Sequence, residues 1–506
     1  MEKKIMLIKP AYETDAVWDP IRTSQPLGLW WLGSHLKERG HEVRLLDETV
    51  RNGGLDNQVM FQRVLDNGKV IDNPLDITYE DFQAQKMKDF NYMSPEEFVN
   101  KYSAHNSDGI VRNMVRTGNS EEDTLAEVKR MNPDFVGIPI FASCNYNSAM
   151  SLAKAVKESF PETKVVMGGQ HVSALPYDVL DKRFVDYVIT GDGLSAMTRL
   201  VEDKGFLTDM LVGGSKNIKE FPLLDMELIA ENKYPVSPNH TFDTEGRKWV
   251  DYMFSKGCFR SCDFCASEEK VSTIAFDKID EQLQRFKDDG IEEIVVQDDA
   301  FLFKPKQNLR EYLALMKNHG LNWQDNGGIE FEGLTPLVMN MFLDYQNKGD
   351  GRITSLYVPL NPREGSKVDS ALKDMKARFN RNFSHIKQLR DSGAYVFTSE
   401  IIGRPGDTLD LIEENIELHQ DLVQEGYADK SLTFVASTLP GTKWYGEYDG
   451  GIVDKEDWAS YSIFVPQSTI DGVDDIKDIE RMAIKRNQKM NEVQDTYSWG
   501  SAFSNV

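Results

Sequence analysis

The sequence predicts an α/β protein: a doubly wound parallel sheet in residues 1–202, then a partial (β/α)6 barrel over 248–442 and a small C-terminal extension over 443–506. Three observations predict this. Apolar strand-like runs alternate with amphipathic helical stretches through the first domain. Six further strand–helix units follow a proline-bearing linker at 203–247. Three of the four cysteines fall within eight residues, directly after the first strand of that second series. Strand–helix alternation implies right-handed crossovers and parallel sheets. Six units in about 190 residues fit a partial barrel better than a complete eight-fold one.

In the first domain the expected strands are Lys4–Lys9, Val43–Asp47, Phe135–Phe141, Lys164–Met167 and Tyr187–Thr190. The expected helices are Leu27–Arg39, Leu125–Met131, Ser148–Phe160, Tyr177–Lys182 and Leu194–Glu202. An insertion at about 51–122 is polar with scattered aromatic residues. Its Ser94-Pro95-Glu96-Glu97 has the form of a capping box with proline at the first helical position, so it holds at least one helix. An insertion after a strand's carboxyl end lies on the ligand face of such a sheet. It reads either as a lid or substrate element or as a plain surface insertion.

In the second domain the expected strands are Val250–Ser255, Ile294–Gln297, Trp323–Gly327, Ser355–Leu360, Val396–Ile402 and Leu432–Ser437. Between them lie helices at Lys278–Lys287, Leu309–Asn318, Pro336–Asn347, Asp369–Asp391 and Leu409–Glu425. The extension carries a helix near Asp475–Val493.

The formal net charge of −24 over 506 residues repels phosphate backbones, so nucleic acid is not an expected partner. No run of 18 apolar residues occurs, so no membrane span is expected. The N-terminus reads as a strand and not as a signal peptide. Four cysteines, three of them clustered, do not make a disulfide framework, and the reducing cytoplasm is the expected compartment.

The cluster reads Gly257-Cys258-Phe259-Arg260-Ser261-Cys262-Asp263-Phe264-Cys265. Iron–sulfur cubanes are held by thiolates, usually four. Three cysteines in one loop leave one iron open to a small molecule bearing an amine and a carboxylate. A structural zinc site wants four closed ligands, and no cysteine or histidine follows within a zinc-finger distance. Cys144 stands far away and reads as a buried thiol.

This C-x3-C-x-aromatic-C motif after a first barrel strand resembles the radical S-adenosylmethionine superfamily over residues 248–442. The resemblance implies a [4Fe–4S] cluster on Cys258, Cys262 and Cys265, with S-adenosylmethionine on the fourth iron and Phe264 against its adenine. It implies a deoxyadenosyl radical, and an electron donor such as flavodoxin or ferredoxin. Gln297-Asp298-Asp299 ends the second strand, where the family recognises the methionine amino group. Gly403-Arg404-Pro405-Gly406-Asp407-Thr408 resembles the family's G-x-P-G-E-T element near the adenine, and Leu439-Pro440-Gly441-Thr442 follows the sixth strand as in relatives. The fourth strand departs from the family: it ends Pro359-Leu360-Asn361 where many relatives have glutamate then Ser-Gly, leaving Asn361 as the candidate contact there.

In the first domain, Gly168-Gly169-Gln170-His171 and Gly191-Asp192-Gly193 follow strands, and glycines there let backbone approach a bulky ligand. Ahead of such a barrel they resemble the cobalamin-binding, Rossmann-like domain of the B12-dependent radical subgroup. The resemblance implies cobalamin enclosed by the loops at Pro10-Ala11, Asp47, Ser143-Cys144-Asn145, Gly168-Gly169-Gln170-His171 and Gly191-Asp192-Gly193. The D-x-H-x-x-G signature of histidine-ligated cobalamin is absent, so no histidine is expected on cobalt, and His171 is expected to pack near the nucleotide tail.

The subgroup's commonest activity is methylation of an unactivated carbon of a small-molecule substrate. One S-adenosylmethionine supplies the methyl group by way of cobalamin and a second supplies the radical. Ring formation, oxidation or rearrangement without net methyl transfer is an enzymatic alternative, and a non-catalytic sensor is a third reading. Trp444 and Tyr445 are candidates either for the pocket lining or for the core.

Overall fold

Ile5, Met6, Leu7 and Ile8 are buried without a break, the pattern of a parallel strand covered on both faces. The computed structural model describes residues 2–491 apart from 16–23, 51–56, 65–69, 75–78, 103–110, 203–208, 215–217, 219–220, 233, 235–245, 268–269, 303, 361–379, 448–456, 462–464, 469 and 471. In chain order the strands up to residue 213 are β1 (Lys4–Lys9), β2 (Tyr12–Asp15), β3 (Glu42–Asp47), β4 (Asn57–Val64), β5 (Val70–Pro74), β6 (Val111–Thr117), β7 (Phe135–Pro139), β8 (Lys164–Gly168), β9 (Tyr187–Thr190) and β10 (Met210–Val212). A parallel sheet runs in the order β10-β9-β8-β7-β1-β3. The order reverses at β1, whose neighbours are β3 and β7. Ligands of such sheets bind beyond the strand carboxyl ends at that reversal.

Two features depart from the sequence reading. The stretch read as linker contributes β10, a sixth strand paired with β9. The insertion holds two helices, Tyr79–Tyr92 and Pro95–Tyr102, and an antiparallel sheet in the order β2-β6-β4-β5. Its capping box is formed: Glu97 N–H donates to Ser94 Oγ at 3.3 Å, and Ser94 N–H donates to Glu97 Oε2 at 2.9 Å. The insertion is also more than a surface decoration. Its Phe82, Phe90, Phe98 and Tyr102 share one core with Ile402 and Val435 of the barrel and Ile479 and Ile484 of the C-terminal helix Ile476–Asn491.

The second domain follows with β11 (Trp249–Tyr252), β12 (Ser255–Lys256), β13 (Ser272–Thr273), β14 (Glu293–Val296), β15 (Asn322–Asp325), β16 (Ile353–Pro359), β17 (Tyr395–Ile402) and β18 (Lys430–Val435). Six strands form an open parallel sheet, β11-β14-β15-β16-β17-β18, the partial barrel the sequence predicts. β12 and β13 pair antiparallel and bracket the cysteine loop. Thr335 caps the helix Pro336–Asn347 with proline at its start, and those bounds are the expected ones. Of the helix expected over Asp369–Asp391, Asn380–Asp391 is described. Asn361 lies outside the described residues.

The two domains share a core. Trp30 and Trp31, on the helix Leu27–Glu38, pack against Phe286 and Tyr252 of the barrel at ring distances of 6.5 and 6.4 Å. Among the described residues no helix is long and apolar enough to cross a membrane.

Candidate functional site

The cysteine loop is braced by one carboxylate. Asp299 accepts from Gly257 N–H at 2.7 Å before the first cysteine and from Ser267 Oγ at 3.2 Å after the last. Gly257 takes φ of 90°, so the turn into Cys258 favours glycine. Asp298, its neighbour, is fully buried. It accepts from Phe254 N–H at 2.7 Å, from Ser255 Oγ at 2.5 Å and from Lys304 Nζ at 2.6 Å. Asp298 therefore holds the strand that leads into the loop, while Asp299 holds the loop.

Cys258, Cys262 and Cys265 are not joined in disulfides. Arg260 N–H points at Cys258 Sγ and Ser267 N–H at Cys265 Sγ, each at 3.4 Å. Such contacts favour thiolates, so the donor set suits iron–sulfur ligation. Burial pushes the Cys258 thiol up. Among the described residues no three His, Cys, Asp or Glu side chains stand close enough to hold one metal ion. A cubane makes a different demand, since each thiolate sits on a separate iron. Arg260 also pairs with Glu332.

Phe264 faces Trp444 at a ring distance of 5.5 Å, and Trp444 N–H donates to Asp263 O at 3.1 Å. Trp444 thus packs on the cysteine loop. Gly403 has φ of 74°, and a Cβ there would lie 3.1 Å from Ile479 of the C-terminal helix. Pro405 is exposed at the same turn, beside a buried Arg404–Asp407 ion pair at 3.0 Å. Gln297 donates to Asp251 Oδ1 at 2.5 Å and accepts from Asn326 at 3.3 Å.

In the first domain, Gly169 has φ of 102°, and a Cβ there would lie 2.5 Å from Ile140 O. The loops after β7 and β8 therefore touch backbone to backbone. His171 Nδ1 and Ser143 Oγ share a hydrogen bond at 2.9 Å. His171 Nε2 is buried without a partner, and burial lowers its pKa to about 4, so the ring is neutral at pH 7. Cys144 is buried, as the sequence reading has it, with Asn145 Oδ1 at 3.2 Å and Tyr12 Oη at 3.7 Å. Gln170 is exposed, while Pro10 and Ala11 are buried. Asp47 differs from its neighbours. It is fully buried and occupied by Lys9, Thr49 and Tyr234, which makes it a junction between sheet and linker.

The two loop sets meet. Asp192 Oδ2 lies 3.9 Å from Lys256 Nζ, one residue before Gly257. A Cβ on Gly441 would lie 3.2 Å from Ala174 Cβ and 3.8 Å from Ala266 Cβ. Glycine loops, cysteine loop and the turn after β18 therefore converge. Sequence reasoning missed Trp458, whose indole packs on His171 at 4.7 Å and on Tyr146 at 5.6 Å. It also missed Lys256 and Asp251. A carboxylate inside the apolar strand Trp249–Tyr252 was a usable signal for the last of these.

Comparison with known proteins agrees with this arrangement. The family model described as the B12 binding domain matches residues 101–201. The fold is similar to a radical S-adenosylmethionine methyltransferase, TsrM from Kitasatospora setae, described with cobalamin and a [4Fe–4S] cluster bound. The TM-score is 0.54 at 12% identity, covering 95% of this chain and 85% of that one. It is also similar to the cobalamin-dependent S-adenosylmethionine radical enzyme OxsB, with a TM-score of 0.52 at 12% identity, covering 82% of this chain and 51% of that one. Residues 101–201 thus match the B12 binding domain, and the chain's fold is similar to that of solved cobalamin-dependent radical S-adenosylmethionine enzymes.

Two methyltransferases are similar in sequence. The cytidylyl-2-hydroxyethylphosphonate methyltransferase of Streptomyces wedmorensis is 22% identical over 97% of this chain and 91% of its own length. The hopanoid C-3 methylase of Methylococcus capsulatus is 26% identical over 36% of this chain and 38% of its own.

Proposed function

We propose that this enzyme transfers a methyl group to an unactivated carbon of a polar small molecule. The observation that carries the reading is the meeting of the glycine loops with the cysteine loop at Lys256–Asp192 and Gly441. Two cofactors that act on one substrate must face one another across a shared space, and both loop sets lie at strand carboxyl ends.

When bound, the cluster would supply a reducing electron to S-adenosylmethionine and cobalamin would supply a methyl carrier. Cys258, Cys262 and Cys265 would hold the cluster. Phe264, Gln297, Asp299, Gly403 and Pro405 would surround S-adenosylmethionine, with Asp298 fixing the strand beneath, while the candidate Asn361 lies outside the described residues. Ser143, Asn145, Gly168, Gly169, Gln170, His171 and the loop Gly191-Asp192-Gly193 enclose cobalamin beside Pro10 and Ala11, with Asp47 supporting them from below. A reducing compartment such as the cytoplasm suits three cysteines outside any disulfide, and a small electron-transfer protein would serve as donor.

Strand alternation and register turn Asp251, Glu293, Gln297, Gln324 and Ser399 toward the barrel interior. That polar lining, with the near full-length likeness to a methyltransferase named for a nucleotide conjugate, favours a polar substrate over a lipid.

The test is product analysis with anaerobically reconstituted, reduced enzyme. Methyl transfer predicts S-adenosylhomocysteine together with 5′-deoxyadenosine. Deoxyadenosine with no S-adenosylhomocysteine would instead mean chemistry without methyl transfer. Replacing all three loop cysteines by alanine should abolish the broad visible absorbance of the cluster.

A further inference from the structure

Asp251 sits on the first barrel strand with no exposure, and beyond its place in the polar lining no role described above uses it. Its surroundings come from both domains. Gln25, just before the helix Leu27–Glu38, grips it twice: Gln25 N–H donates to Asp251 Oδ2 at 2.7 Å, and Asp251 N–H donates to Gln25 Oε1 at 2.8 Å. β11 is an edge strand of the open sheet, so Gln25 Oε1 takes a backbone N–H that a further strand would otherwise pair. Asp251 Oδ1 in turn accepts from Gln297 Nε2 at 2.5 Å, and Gln297 Oε1 accepts from Asn326 at 3.3 Å.

The loop behind Gln25 is anchored as well. Lys9 Nζ donates to Ser24 O at 2.9 Å and to Asp47 Oδ2 at 3.0 Å. Hydrogen bonds, linked through the Ser24–Gln25 peptide bond, therefore run from the carboxyl ends of β1 and β3, through Lys9, Ser24, Gln25 and Asp251, to Gln297 beyond the end of β14. A carboxylate accepts only, so its partner must present an amide N–H. Asp251 thereby fixes which way the Gln297 amide points, leaving its carbonyl oxygen turned toward Asn326.

We propose that Asp251 and Gln25 are positioning residues: Asp251 orients Gln297 for the amino group of S-adenosylmethionine, and Gln25 makes that orientation depend on docking of the first domain. The inference rests on the proposed S-adenosylmethionine site and deepens it. The ligand class is a primary ammonium, for which the Gln297 amide oxygen, held beside Asn326 just beyond the end of β14, is a suitable acceptor. Burial raises the Asp251 carboxyl to about 7, opposed by the bonds from Gln297 and Gln25 and by the charge of Lys9.

The experiment is equilibrium binding of S-adenosylmethionine to the reconstituted holoenzyme, with iron and cobalamin content measured on each sample. Asp251→Asn and Gln25→Ala should each raise Kd about tenfold with both cofactors retained. The double variant should be no worse than Asp251→Asn alone, since both act on one chain of bonds. Gln297→Ala should weaken binding at least as much. The reversed pair, Asp251→Asn with Gln297→Glu, restores a donor facing an acceptor and should recover most of the affinity, which repair of a general packing defect would not do. Unchanged Kd in Asp251→Asn or in Gln297→Ala, or fully additive losses, would overturn the inference. Wild-type holoenzyme that fails to bind S-adenosylmethionine at all would overturn the proposed function itself, and this inference with it.

Discussion

Asp298 and Lys304 form an ion pair at 2.6 Å with neither side chain exposed. Lys304 also donates to Ser255 Oγ at 2.7 Å and stands over the rings of Phe301 and Tyr312 at 4.8 Å each. The pair is therefore a buried strut under the strand that feeds the cysteine loop. Removing one partner leaves an uncompensated charge, which costs about 3–5 kcal/mol. Lys304→Met should lower stability by that amount and reduce iron content after reconstitution. Adding Asp298→Asn should recover part of the loss. Denaturant midpoints and iron analysis check this, and a Lys304→Met protein of wild-type stability would show that the strut carries nothing.

Gly441 offers a test of how closely the two loop sets must approach. Its φ of 87° disfavours any side chain, and a Cβ would press on Ala174 at 3.2 Å. Gly441→Ala should cost about 1–2 kcal/mol and push the glycine-loop side away from the cysteine loop. Formation of 5′-deoxyadenosine should persist while methyl transfer per deoxyadenosine falls. Equal loss of both products would mean that the contact serves stability alone.

The fold was largely legible because its strands are apolar and its helices well punctuated. Ser120 caps the helix Glu121–Met131 and Asn132 ends it in the left-handed region. Reading from the first apolar residue, Leu125, placed the helix start four residues late, because the first turn is acidic and shows no periodicity. The insertion's strands were not legible, since Asn57–Val64 mixes polar and apolar residues without strict alternation and is held on one side by β6, some fifty residues on. The cysteine loop was legible from spacing alone. The roles of Asp298 and Asp47 were not, because a strand-end carboxylate looks the same in sequence whether it faces a ligand or a buried lysine. Gln25 and Trp458 act across the domain boundary, where local patterns carry no information.

His419 gives the pH dependence a sign. It is fully buried, with Nδ1 and Ser431 Oγ at 2.8 Å and Nε2 3.8 Å from Glu400. Burial lowers its pKa from 6.5 to about 4, with Arg486 acting in the same direction and Glu400 against it. A histidine held below its unfolded value contributes stability that is fully present above pH 6.5 and is lost as the pH falls toward 4. The loss should approach about 3 kcal/mol at the lower end. His419→Gln should remove that part of the acid sensitivity. Unfolding curves at several pH values check it, and parallel pH profiles for variant and wild type would refute it.

Trp458 ties the C-terminal extension to the glycine loops. It is 8% exposed, and its ring stands edge-on to His171 and beside Tyr146. The short helical turn Trp458–Ser460 lies against the turn Ser143–Asn145. If these loops enclose cobalamin, the indole buttresses one wall of the pocket. Trp458→Ala removes that wall and should weaken cobalamin retention at least about tenfold, since a large buried aromatic is worth several kcal/mol. Trp458→Phe keeps a ring against His171 and should stay near wild type. Iron content reports on the barrel independently and should not change in either variant. Cobalamin held by Trp458→Ala as tightly as by the wild type would place the binding pocket elsewhere on the sheet.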